Sequence, residues 1–318
     1  MSSRGQFDQF AALIVRIPGP GDQPSGFELV DDQRRVGGVS TSDLGKLAQA
    51  ASPPGQVVPG PFGSPDVILR IHRPRGTTET LPCLYAMRGG GYVVGFHRLF
   101  DARFEPWSPK LGCVGVPVGY RLAPETPYAG PRKDCYAGLR WVHGHAAELG
   151  VDPARIGVTG GSAGGGLAAG LALLARDRGE IPVAFQLLTY PMLDDRQTTP
   201  SSRADTPLWD PPNNRFGWMS YLGSSYGKHD TPAYAAPARA ADLTGLPPTF
   251  VMVGNIDGLL DEDVDYARRL ITAGVPTDLH VLAGAPHAFD SLMPDTTVAQ
   301  RAQRILEDWL VEHRHPGS

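Results

Sequence analysis

Cysteine is scarce: Cys83, Cys113 and Cys135 are the only 3 in 318 residues. They form neither an even disulfide framework nor a metal-binding spacing, so no metal centre is expected. Cys83 and Cys113 sit in apolar, strand-like runs, where small buried thiols are expected. A reducing, cytoplasmic setting is the corresponding expectation. Long apolar runs are missing too. No stretch reaches the roughly 18 residues of a membrane-spanning helix. The start, Met1-Ser2-Ser3-Arg4-Gly5-Gln6, has no apolar signal core, and the run 11–17 is short and stops at Pro18. No membrane partner is expected. There is no long basic run and the formal net charge is −4, which argues against a nucleic-acid partner. No internal repeat is present.

What remains is enough for a large core: 41% of the residues are hydrophobic. The first 60 residues look peripheral. Apolar positions over 6–17 fall on one helix face, and a second short helix is expected over 43–51. The pair is read as part of a cap over a pocket. Strand patterns then begin. Residues 66–72 alternate, with Val67, Leu69 and Ile71 set against Ile68, Arg70 and His72. Residues 81–87, 113–118, 182–190, 249–254 and 277–282 read as further strands, several continuously apolar as in a sheet covered on both faces. Helices are expected over 101–111, 132–148, 167–175, 262–273 and 296–312. This alternation predicts an α/β fold with a mostly parallel sheet wrapped on both faces. The stretch 194–246 breaks it. It is rich in Pro, Asp and Ser, and carries Trp209, Phe216, Trp218, Tyr221, Tyr226 and Tyr234. An insertion there is expected to form a lid or cap, flanked by core segments 61–193 and 247–318.

The chemistry gathers around Gly160-Gly161-Ser162-Ala163-Gly164, a G-x-S-x-G turn between a short apolar strand and a helix. Glycines two places either side of the serine remove backbone clashes and leave its hydroxyl exposed. A serine nucleophile needs a base and an acid that orients the base, in the chain order Ser, Asp, His. Most of the nine histidines drop out. His72 and His280 lie inside strands, His143 and His145 on the helix before the turn, His313 and His315 in the tail. His97 and His229 precede any acid in the required order. His287 remains, on the loop after the last strand. Four acids compete: Asp257, Asp261, Asp263 and Asp265. Asp257 is favoured because it follows a strand closely, whereas the others open a helix. Upstream, Arg88-Gly89-Gly90-Gly91 follows a buried strand and leaves several N–H groups free to converge. No Lys-Ser/Thr follows, so a phosphate loop is not expected.

Taken together, these pieces resemble the hormone-sensitive-lipase-like group of α/β-hydrolase esterases. The matching runs are Arg88-Gly89-Gly90-Gly91-Tyr92, Tyr120-Arg121-Leu122-Ala123-Pro124-Glu125, Gly160-Gly161-Ser162-Ala163-Gly164-Gly165, Asp257-Gly258-Leu259-Leu260-Asp261-Glu262 and Pro286-His287-Ala288-Phe289. They cover the chain from about residue 65 onward. The resemblance implies an α/β-hydrolase fold with a helical cap, a triad of Ser162, Asp257 and His287, and an oxyanion hole of backbone N–H groups. Gly90, Gly91 and Ala163 are its expected donors, with Gly89 alongside. It implies a serine carboxylesterase for short- to medium-chain esters, working through an acyl-enzyme with no cofactor. The partner is then a small-molecule ester, and the group's frequent dimers leave a homodimer open. Two other readings share the same residues: a catalytically weakened small-molecule binder, and an amidase or deacetylase. Four positions depart from the group's pattern. Arg88 stands where histidine is usual, Gly161 and Gly119 where acids are common, and Ala288 where glycine is usual. An acid restored at 161 or a histidine at 88 is expected to change rate more than substrate range.

Overall fold

The computed structural model describes residues 55–95 and 100–313, with the backbone of two short strands at 35–36 and 39–40. The helices expected over 6–17 and 43–51, and His97, lie outside the described residues. β-Branched and aliphatic runs separated by glycine and proline give eight strands in one sheet. They are β1 Gln56–Val58, β2 Val67–Leu69, β3 Leu81–Met87, β4 Val114–Gly119, β5 Val151–Gly161, β6 Gln186–Thr189, β7 Thr249–Gly254 and β8 Thr277–Leu282. The spatial order is β8-β7-β6-β5-β3-β4-β2-β1. β1 and β2 pair antiparallel, β2 runs antiparallel to β4, and the rest are parallel.

Among the described residues, eight helices accompany the sheet. They are α1 Asp101–Leu111, α2 Gly130–Gly144, α3 Ala146–Leu149, α4 Ala163–Arg178, α5 Pro211–Leu222, α6 Leu260–Thr272, α7 Phe289–Leu292 and α8 Thr297–His313. Every residue of β3 is buried, as its unbroken apolar run predicts. Its side chains alternate between two cores. Cys83, Tyr85 and Met87 join α2, α4 and α6 in one. Leu84 and Ala86 join Phe104 of α1 and Leu306 and Trp309 of α8 in the other. All three cysteines are buried thiols. No described helix is long and apolar enough to cross a membrane.

Several expected boundaries move, each for a local reason. The alternating stretch 66–72 makes a three-residue strand. Arg70 then turns inward, donating from Nε to Asp101 Oδ1 over 2.6 Å and remaining buried. The strand expected over 182–190 is limited to β6, because Tyr190 enters the left-handed region with φ 38°. α4 begins at Ala163 rather than 167, directly behind the serine. Within 194–246, α5 starts at Asp210, whose side chain accepts from Asn213 N at 2.8 Å, with Pro211 and Pro212 following in the first turn. Three 3₁₀ turns, Ser201–Arg203, Gly223–Ser225 and Pro237–Arg239, complete the insertion.

Candidate active site

One residue separates β5 from α4. Ser162 sits there at φ 57° and ψ −129°, a conformation that costs a non-glycine residue on the order of 1–3 kcal/mol. Packing holds the turn in place. Ser162 N donates to Thr189 O at 3.0 Å, and Met192 N donates to Ser162 O at 2.9 Å. The turn presses so closely on its neighbours that a Cβ on Gly164 would lie 2.0 Å from Met87 O, and one on Gly160 2.3 Å from Gly164 C. Both positions therefore exclude any side chain.

Ser162, His287 and Asp257 converge on this turn from the ends of β5, β8 and β7. His287 Nε2 lies 2.9 Å from Ser162 Oγ, and Nδ1 lies 2.9 Å from Asp257 Oδ2. A carboxylate can only accept, so Nδ1 carries the proton and Nε2 is the acceptor for the serine hydroxyl. Asp257 Oδ1 accepts from Leu259 N at 3.0 Å, which fixes the carboxylate plane. Asp257 is 1% exposed, His287 3% and Ser162 7%, so the chain of hydrogen bonds is sealed from water except near the hydroxyl.

The other acids are elsewhere. Asp261 Oδ2 accepts from Ser201 N at 2.8 Å. Asp265 pairs with Arg268 at the surface, and Asp263 is buried with neither oxygen hydrogen-bonded. Glu262 accepts from Leu193 N at 2.8 Å and Asp194 N at 3.2 Å, anchoring the start of the insertion.

The glycine run lies beside the elbow. A Cβ on Gly89 would sit 3.3 Å from Ser162 Cβ. Gly90, at φ 114°, turns its carbonyl back to accept from Val93 N and Val94 N, both at 3.0 Å. Among the described residues no carbonyl accepts from Gly90 N or Gly91 N. Ala163 N begins α4, where the first N–H groups of a helix have no internal partner. An oxyanion cradle needs backbone donors that no carbonyl already occupies.

Arg88 does not leave the loop slack. Its Nη2 donates to Tyr120 O at 2.8 Å while the Tyr120 hydroxyl donates to Arg88 O at 2.7 Å. The guanidinium stacks 3.8 Å above the Tyr120 ring. Burial pushes the Tyr120 phenol up to about 12, so it stays a donor. Burial likewise pulls the Arg88 guanidinium below the usual arginine value. This reciprocal clasp was not legible in the motifs, because it joins the ends of β3 and β4 through side chains that the sequence assigns separately.

Two aromatic rings touch His287. Tyr190 meets it edge-on with centroids 4.9 Å apart, and Trp209 lies at 5.8 Å with its plane tilted 30°. Trp209 also reaches the glycine run, since a Cβ on Gly91 would come within 2.5 Å of Trp209 Cη2. Its Nε1 donates to Asn214 Oδ1 at 3.2 Å and its carbonyl accepts from Thr206 Oγ1 at 2.8 Å. The insertion thus reaches the elbow through one indole. Tyr190 carried no signal beyond its place at the end of an expected buried strand.

Comparison with known proteins identifies the family. A family model described as an alpha/beta hydrolase fold matches residues 84–291. The chain is 38% identical over 234 residues to Esterase LipI of Mycobacterium tuberculosis, covering 72% of this chain and 71% of that one. It is 39% identical over 221 residues to Carboxylesterase NlhH of the same species, covering 68% and 69%. Among solved structures, a bacterial heroin esterase superposes with a TM-score of 0.83 at 41% identity, covering 90% of this chain and 94% of the other. With its sheet order, its serine elbow and these likenesses, the chain belongs to the α/β-hydrolase family, in the hormone-sensitive-lipase-like group of carboxylic ester hydrolases.

Proposed function

We propose that the chain is a serine carboxylesterase whose nucleophile is Ser162, general base His287 and orienting acid Asp257. The observation that carries this is the unbroken hydrogen-bond chain from Asp257 through His287 to the Ser162 hydroxyl. Ser162 Oγ attacks the ester carbonyl carbon as its proton passes to His287 Nε2. Asp257 holds the Nδ1–H tautomer and stabilises the imidazolium that forms. Gly90, Gly91 and Ala163 donate to the oxyanion, with Gly89 giving the loop its approach to Ser162. Losing one such donor typically costs about 2.7–4 kcal/mol of barrier. The C–O bond to the alcohol then breaks and His287 Nε2 returns the proton to the leaving oxygen. Water repeats the sequence on the acyl-serine, releasing the acid.

The substrate is a small ester with a short- to medium-chain acyl group. Trp209 supports this by closing the space between His287 and Gly91. The insertion 194–246 acts as the cap over that space, on a core of 61–193 and 247–318; most of the expected cap segment 1–60 lies outside the described residues. The names of the relatives, esterase and carboxylesterase, favour esters over amides. The test is Ser162→Ala, assayed on p-nitrophenyl acetate and with a fluorophosphonate probe. Turnover falls at least about 10³-fold and labelling vanishes, in line with triad deletions elsewhere. Wild-type turnover in a folded Ser162→Ala protein would overturn the assignment. A folded wild-type protein that the probe does not label would point to a binder instead.

A further inference from the structure

Behind His287 stands a buried network that the triad does not include. The Tyr190 ring meets the imidazole edge-on at 4.9 Å and Phe289 at 6.1 Å. Its hydroxyl donates a short hydrogen bond to Asp290 Oδ1. Asp290 Oδ2 in turn accepts from Arg103 Nη2 of α1 at 2.6 Å. The Asp290 side chain is 9% exposed and that of Arg103 25%. One end of the network is therefore fastened to α1 through Arg103, its middle is Asp290 of α7, and its other end, the Tyr190 ring, touches the imidazole.

Two further observations show that the chain is shaped around this contact. Tyr190 holds a left-handed backbone, φ 38°, with its N–H donating to Met252 O at 2.6 Å. A residue other than glycine keeps that conformation only where its surroundings demand it. Gly161 supplies the room. A Cβ there would lie 3.1 Å from Tyr190 Cε2, 3.5 Å from its hydroxyl oxygen and 2.9 Å from Thr189 Oγ1. The missing side chain next to the nucleophile is thus the space into which the phenol fits.

We propose that Tyr190, Asp290 and Arg103 form a strut that fixes the His287 ring in the plane serving both Ser162 and Asp257. All three are positioning residues, and their role rests on His287 being the general base. The strut works by stiffness. An imidazole held by a single hydrogen bond at Nδ1 can still rock about that bond, and Nε2 then leaves the line to the serine. The Tyr190 edge blocks that rocking, and the Asp290–Arg103 pair stops the phenol from yielding. Burial, then the neighbouring Asp290 carboxylate, raise the Tyr190 phenol well above its ordinary value, so it remains a donor throughout the working range.

Tyr190→Phe removes the donor and Asp290→Leu the acceptor of this hydrogen bond, each with little change in volume, and together they test the strut. Rates are counted per active site by fluorophosphonate titration, so unfolded protein does not contribute. On an alkyl ester, kcat per titrated site falls about tenfold in either variant, the size expected for a mispositioned base, while KM stays within twofold. The double variant loses no more than either single one, because the residues act as a unit. The loss is smaller for p-nitrophenyl esters, whose leaving group needs no proton from His287. A generally loosened fold would affect both leaving groups alike. Unchanged kcat per site, equal losses for both leaving groups, or additive losses in the double variant would each overturn the strut. If Ser162→Ala kept its activity, the underlying assignment would fail instead.

Discussion

Gly161 has no side chain, yet the position is not empty space. Thr189 Oγ1 and the Tyr190 ring fill it. An acid restored there therefore meets two side chains before its carboxylate finds any partner. Gly161→Asp is expected to lower both Tm and kcat, the second by displacing Tyr190 from His287, while the ranking of esters by acyl length stays as in the wild type. A thermal melt and a chain-length series check this; a faster enzyme with unchanged Tm would refute it. Ala288 presents the opposite case. It follows His287 at φ 55°, where an alanine is strained and a glycine is not. The left-handed conformation costs about 1–2 kcal/mol, and glycine's extra unfolded-state freedom returns roughly 0.4–1 kcal/mol of that. Ala288→Gly is expected to raise Tm slightly, by about 1–3 °C, read by calorimetry. A fall in Tm would mean that the methyl's burial outweighs the strain.

At the scale of elements, the contiguous patterns were readable and the long-range pairings were not. The elbow, the triple glycine and the order of Asp257 before His287 each occupy a few adjacent residues, so spacing alone locates them. β7 and β8 match their expected spans because the apolar run of β7 ends at Gly254 and the alternating run of β8 ends at the Ala283-Gly284 turn. The strut joins residues 100 and 187 positions apart, and nothing local marks either pairing. The insertion was legible as a break in the alternation, but its helix was not. α5 is set by a capping aspartate and two prolines rather than by an apolar stripe. Trp209 precedes that cap; its indole donates to Asn214 and its backbone carbonyl accepts from Thr206. Trp209→Ala opens the space beside His287 and Gly91. The kcat/KM ratio of a decanoyl to an acetyl ester is expected to rise about tenfold or more, the worth of one or two methylene-sized contacts. Activity on the acetyl ester persists, since no group in the triad is touched. An unchanged ratio across a graded ester panel would show that the indole is not the limiting wall.

Across the described residues, several buried carboxylates are matched by arginines, although the buried Arg88 leaves Nε and Nη1 without a hydrogen-bond partner. Arg70 meets Asp101, Arg121 meets Asp134, and Arg239 meets Asp195. Asp263 departs from this. The sequence placed it among the acids at the start of a helix expected over 262–273. α6 instead begins at Leu260, and Asp263 falls on its buried face with Tyr266, Ala267 and Leu270. It is 0% exposed, and neither carboxylate oxygen has a hydrogen-bond partner. Burial first, then the nearby Glu262 and Asp257, raise its carboxyl well above the ordinary aspartate value. The folded protein therefore binds this proton more tightly than the unfolded chain, where the group titrates near about 3.9. Its contribution to stability is complete below that pH and is lost progressively as pH rises through the folded value. Asp263→Asn keeps the shape and removes the titration. The variant is expected to melt above the wild type at pH 8, by roughly 3–6 °C if one to two kcal/mol are recovered, and the gap should narrow toward pH 4. Melting curves at a series of pH values decide the matter. A gap that is constant with pH, or that widens in acid, would mean that the Asp263 carboxyl does not carry this proton in the folded state.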